Sequence, residues 1–247
     1  MFAISSSDTG EATVTSSLTF TSANWDTPQN VTVTGADDNI IDGSVTSNIT
    51  VSINDGSSDN AFDAVADQTV SVTTTDDDVA GFTIAETEGS TGVTEAGSTD
   101  LFTVVLNAQP NSDVVFAISS SDTGEATVTS SLTFTSANWD TPQNVTVTGV
   151  DDDIIDGSQV STSTISIIGA ISDDNFDAVA DQTVSVTTTD DDVAGFTIAE
   201  TNGSTGVDES GSTDIFTVVL NAQPNSCLLY TSPSPRDVEE SRMPSSA

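Results

Sequence analysis

Between residues 79 and 192, apolar residues fall on every second position in one short run after another. The runs are Phe82 and Ile84, Phe102, Val104 and Leu106, Val114 and Phe116, Val128, Leu132 and Phe134, Val145 and Val147, Ile165 and Ile167, and Val184 and Val186. Thr, Ser, Asn or Ala stand between them. A period of two is that of a half-buried strand, and no ten-residue window carries the 3.6 period of an amphipathic helix. Turn residues separate the runs, as in Asn107-Ala108-Gln109-Pro110-Asn111, Ser121-Asp122-Thr123-Gly124 and Asp156-Gly157. About seven or eight short antiparallel strands in a segment of this length predict an all-β fold, an immunoglobulin-like β-sandwich. Trp139, just before Pro142, is expected to anchor the sandwich edge.

The pattern is tandem. Residues 2–35 recur unchanged at 116–149 and residues 63–87 at 177–201, both at an offset of 114 positions. That spacing is too long for a solenoid and suits an independent domain. The chain therefore reads as the latter part of one repeat (1–78), one complete repeat (79–192) and the start of a third (193–226). Met1 stands where the later copy has Val115, so the sequence reads as an internal fragment. The copies differ mainly at 44–61 against 158–175.

Residues 227–247 share neither the pattern nor the composition of the rest. They resemble translated sequencing-library adapter and are expected to be a non-native, disordered tail. Setting them aside sharpens the charge. The chain has 39 acidic residues, two basic ones and no His, for a net charge of −37. Both basic residues (Arg236, Arg242) and the sole Cys (Cys227) belong to that tail. Without its three acidic residues, 36 carboxylates face no basic side chain at all. Nucleic acid and anionic membrane surfaces need the opposite sign and are excluded as partners. No run is long and apolar enough for a membrane helix. High charge alone would suit disorder, but the regular Val, Ile, Phe and Thr runs oppose it.

The acidic residues gather at turns: Glu86, Glu88 and Glu95 after the first strand, Asp151, Asp152, Asp153 and Asp156 after VTVTGV, and Asp190, Asp191 and Asp192 after the last. If these turns share one end of the sandwich, up to ten carboxylates meet there. Two of them about 4 Å apart repel by roughly 4 kcal/mol at an effective dielectric of 20. A cation must offset this, and calcium fits best, taking six to eight oxygens without His or Cys. Residues 151–157 are not an EF-hand loop, since Gly157 stands seventh instead of sixth. Asp173, Asp174, Asp177 and Asp181 read as a solvated loop, with a second site as the alternative.

The stretches VTEAGSTDLFTVVLNAQP, LTFTSANWDTPQNVTVTGVDDDIIDG and QTVSVTTTDDD, in this order, resemble the Calx-beta module. The resemblance covers the complete repeat and implies an immunoglobulin-like sandwich with calcium at one tip. By position it makes Glu95, Asp151, Asp152, Asp156, Asp190, Asp191 and Asp192 the metal ligands. In the partial repeats the matching residues are Asp37, Asp38, Asp42, Asp76, Asp77, Asp78 and Glu209. The family often has Glu where Asp156 stands, and the repeat is longer than usual near 169–181.

No enzyme is expected. Without His, native Cys or Lys there is no Ser/His/Asp, Cys/His or Schiff-base chemistry. The carboxylates sit in hydrophilic turns, with no apolar pocket to make one a general acid. The expectation is a calcium-binding spacer of a large extracellular adhesin or matrix protein, contacting its neighbouring repeats and a surface receptor or glycan outside this sequence. In that spacer, calcium would bridge the Asp run of one repeat to the first loop of the next. The alternatives are accessory repeats of a secreted enzyme such as a polysaccharide hydrolase, and a salt-adapted sandwich without a specific ion site.

Overall fold

The computed structural model describes residues 1–228; the adapter-like segment, apart from its first two residues, lies outside them. Residues 82–189 form nine strands: β7 (Phe82–Glu86), β8 (Thr91–Thr94), β9 (Thr99–Leu106), β10 (Val114–Ser120), β11 (Ala126–Val128), β12 (Ser131–Phe134), β13 (Gln143–Gly149), β14 (Gln159–Ile167) and β15 (Gln182–Thr189). Ahead of them lie β1 (Phe2–Ser6), β2 (Ala12–Val14), β3 (Ser17–Leu18), β4 (Val33–Gly35), β5 (Val45–Ile53) and β6 (Gln68–Thr74); after them come β16 (Phe196–Glu200) and β17 (Phe216–Leu220). The remaining regular structure among the described residues consists of single 3-10 turns.

The nine strands make two facing sheets, ordered β12-β10-β14-β15-β8 and β11-β13-β9-β7. The fold is an all-β, immunoglobulin-like sandwich. Its core is the alternation turned inward: Phe102, Val104 and Leu106 from one sheet meet Val114, Phe116 and Ile118 from the other, all buried. Phe116 stacks edge-on against Phe82 and Phe134, with centroids 5.0 and 5.7 Å apart. Trp139 packs against this core and its carbonyl accepts the Leu106 N–H at 3.1 Å.

Two features depart from the periodic reading. β8, whose only large apolar side chain is Val93, is held by parallel pairing to β15, Val186 opposite Thr91 and Thr189 opposite Thr94. Phe176, on a 3-10 turn within the surplus segment, is fully buried. Asp173 fastens that turn. One carboxylate oxygen accepts the Asn175 N–H (3.0 Å), and the other accepts those of Asn111 (2.6 Å) and Ser112 (2.9 Å). It is a structural clamp at the end of the sandwich remote from the acidic turns.

The first repeat repeats this topology where its residues allow. β3-β1-β5-β6 form one sheet and β2-β4 a second. Lacking counterparts of β7 to β9, it leaves Trp25 71% exposed where Trp139 is partly buried.

Candidate metal centre

Parallel pairing of β8 and β15 decides where the carboxylates go. Both strands end at the same tip, and the Glu95 N–H continues the ladder to the Thr189 carbonyl at 3.1 Å. Thr91, Val93 and Glu95 are all buried, so the strand's alternation carries a glutamate inward beyond its last apolar residue. The chain after β15 then lays Asp190–Asp192 beside it. The loop after β13 supplies Asp152 from the other sheet.

Glu95, Asp152 and Asp192 each present a carboxylate oxygen, and these three atoms lie within 4.8 Å of one another. Glu95 is 1% exposed, and among the described residues its Oε2 has no hydrogen-bond partner; Oδ2 of Asp192 is likewise buried and without a partner there. Burial pushes the Glu95 carboxyl above its ordinary range, the charge of Asp190 adds to this, and an N–H from Asp191 opposes it. Asp192 is raised by desolvation first and by Asp153 next.

The other residues expected as ligands divide by task. Both oxygens of Asp190 are occupied, Oδ2 by the Gly157 N–H (2.7 Å) and Oδ1 by that of Asp192 (2.7 Å). These bonds, with one from Asp156 N–H, lower its pKa, and Asp190 acts as a brace holding two acidic turns together. Asp191 is exposed. Asp151 and Asp156 are exposed.

One participant escaped the sequence reading. Glu125 precedes β11 in a turn with no acidic run to mark it. Its carbonyl accepts the Val150 N–H (2.9 Å) and the Thr188 hydroxyl (3.3 Å), which ties it between the two acidic loops. Its Oε2 is buried without a partner among the described residues. Desolvation first, then the charges of Asp156, Asp122 and Asp152, raise its pKa.

The first repeat builds the same tip without a counterpart of Glu95. Glu11, the counterpart of Glu125, joins Asp37, Asp38, Asp42, Asp76 and Asp78 around a polar cavity of about 30 Å³. That is room for one or two water-sized occupants. Asp77 also borders it, and Asp76 repeats the brace by accepting the Asp42 and Gly43 N–H groups at 3.1 and 2.8 Å. Glu209 is exposed. The Asp run therefore addresses Glu95 of its own repeat, and the expected bridge to the first loop of the following repeat is corrected accordingly, because parallel pairing returns the run to β8.

No family model and no curated protein matches the chain. Among solved structures, domains 4 and 5 of the S-layer protein SbsC are similar at 18% identity and TM-score 0.37, over 76% of this chain and 70% of that one. A longer SbsC structure, domains 4–9, gives 18% identity and TM-score 0.37 over 81% of this chain and 24% of that one, so the chain spans about a quarter of its length. The apo-form Calx CBD1 domain gives 15% identity and TM-score 0.33, over 45% of this chain and 98% of that domain.

Proposed function

We propose that each complete repeat binds calcium at its acidic tip and serves as a non-catalytic spacer of an extracellular protein. The observation that carries this is the set of buried, unpartnered carboxylate oxygens of Glu95, Glu125 and Asp192. A buried anionic oxygen without a donor is costly, and 1–226 contain no Lys, Arg or His to answer it. The donor set is all oxygen, which suits a hard divalent ion and argues against zinc or copper. Glu95, Asp152 and Asp192 would hold the ion, Glu125 would border it from the other loop, and Asp190 would keep the loops in register. The ion supplies positive charge and cross-links three chain segments; it takes part in no reaction.

Exposed extracellular calcium modules bind with Kd on the order of 0.1–1 mM, which ties this reading to a calcium-rich exterior. Calorimetric titration of the full chain tests it. Calcium is expected to bind with such a Kd and magnesium much more weakly, since magnesium sheds water reluctantly. Asp152→Asn combined with Asp192→Asn is expected to abolish binding at the complete repeat. Equal and non-saturating heats for calcium, magnesium and sodium would replace this reading with salt adaptation lacking a specific site.

A further inference from the structure

Each acidic loop has a second side, and it faces the following repeat. Residues 37–38 turn their carboxylates toward the cavity of the first repeat, while Asn39–Ile41 touch the second. The Asn39 carbonyl accepts the Gln109 N–H at 2.7 Å, and Ile40 pairs with Gln109 in an isolated parallel bridge. The Ile41 carbonyl accepts side-chain N–H groups from Asn175 (3.0 Å) and Asn111 (3.5 Å). Its side chain packs against the core cluster of the second repeat, beside Ala80 and Val179.

The arrangement recurs one repeat later. The Asp153 carbonyl accepts the Gln223 N–H at 2.5 Å, Ile154 bridges Gln223, and the Ile155 carbonyl accepts from Asn225 at 3.5 Å. The receiving turn is prebuilt in both copies. Asn107 N–H bonds Gly81 and its side chain accepts from Thr83, as Asn221 does with Gly195 and Thr197.

We infer that Ile41 and its counterpart Ile155 are docking knobs, and that the partner each fits is the following repeat of the same chain. The 107–111 turn and Asn175 form the socket. The interface is heterologous, knob at one end and socket at the other, so it repeats along a chain without closing. Socket strength varies between copies: Asn175 falls in the window where the repeats differ, and its counterpart is Ala61, which has no side-chain donor. Ile155, whose following repeat here has no counterpart of Asn175 or Val179, remains 39% exposed. The joint uses backbone, side-chain amide and apolar contacts and does not depend on the calcium reading.

Amide hydrogen exchange of the full chain, read at Gln109 and Gln223, tests it. Local opening of a joint exposes its own amide without unfolding the sandwich. Ile41→Ser is expected to speed Gln109 exchange by about tenfold or more, leaving Gln223 and the amides of β5 and β10 unchanged. Ile155→Ser is expected to do the converse, and Asn175→Ala to speed Gln109 alone by a smaller factor. The same contrasts are expected in calcium and in chelator. Gln109 exchange in Ile41→Ser equal to the unsubstituted chain, in both conditions, would overturn the joint. No saturable calcium binding in the calorimetric titration, with the Ile41→Ser contrast intact, would overturn the calcium site and leave the joint standing.

Discussion

In excess sodium chloride, the thermal transition of the complete repeat is expected to rise by about 10 °C or more when chelator is replaced by saturating calcium. A ligand bound only by the folded state at a hundredfold excess over Kd stabilises by ~2.7 kcal/mol, and for a domain of this size each kcal/mol moves Tm by roughly 4–8 °C. Asp152→Asn with Asp192→Asn is expected to erase the difference while leaving the chelated chain at least as stable. Asparagine keeps the Oδ1 that accepts the Ile154 N–H at 2.6 Å and removes two of the repelling charges. Acid moves the two forms in opposite directions. Glu95 and Glu125 have folded pKa values raised above the ordinary 4.5, so the folded chelated chain binds protons more tightly than the unfolded one. Their contribution is fully present below 4.5 and lost as pH rises through the raised values. Lowering pH from neutral toward that window should therefore stabilise the chelated chain and, as protons displace calcium, shrink the calcium increment. Asp190 has the opposite sign: its depressed pKa contributes above the ordinary 3.8 and is lost only in stronger acid. A calcium increment unchanged by acid, or a chelated chain that weakens steadily from neutral pH downward, would contradict the assignment.

Gly149→Ala is expected to be the most damaging single-methyl change, and to silence the calcium response without altering a carboxylate. A Cβ on Gly149 would overlap the Thr94 carbonyl, lying 2.8 Å from its carbon and 3.3 Å from Cγ2 of Val93. Thr94 is backbone at the end of β8 and cannot swing aside. Relief requires moving the 94–98 turn, which is fastened by Gly149 N–H to the Ser98 carbonyl (3.0 Å) and by Thr94 N–H to the Ser98 hydroxyl (2.8 Å). That turn carries Glu95. Overpacking of this kind costs about 3 kcal/mol, and the displaced Glu95 no longer meets Asp152 and Asp192. The control lies in the same chain. Gly35 sits in an identical stretch, yet its Cβ would meet only Thr74 Cγ2, at 3.9 Å. Gly35→Ala is expected to change stability by no more than about 0.5 kcal/mol. Comparable unfolding midpoints for the two variants would refute the steric account.

How much of this was legible beforehand depended on which signal each residue carried. The strands with two or three alternating apolar residues were readable because the sandwich needs their faces. β8 was not, since Thr91-Gly92-Val93-Thr94 owes its conformation to β15, far away in sequence. Phe176 was hidden because one aromatic residue in a turn-rich segment has no period. At the tip, Glu95, Asp152 and Asp192 were named from acidic spacing and from family resemblance. The brace role of Asp190 was invisible, because sequence does not reveal which oxygens backbone N–H groups have already claimed. Glu125 had no acidic run to mark it, and only the tertiary contacts of its carbonyl bring it to the cluster. The exposed Trp25 and the partly buried Trp139 make the same point: identical local sequences acquire different environments from what packs upon them.

The parallel seam between β8 and β15 also sets how a chain of such sandwiches carries tension. β8 lies near the start of the repeat and β15 at its end, side by side and pointing the same way. A pull on the two ends drags these strands in opposite directions along their own axes, so their ladder bonds are loaded in shear and must fail together instead of unzipping singly. Glu95 and Asp192 meet at the outgoing end of that seam, where an ion would cross-link the two sliding strands. In single-molecule stretching, the rupture force of the repeat is expected to be higher in calcium than in chelator, and to lose that increment in Asp152→Asn with Asp192→Asn.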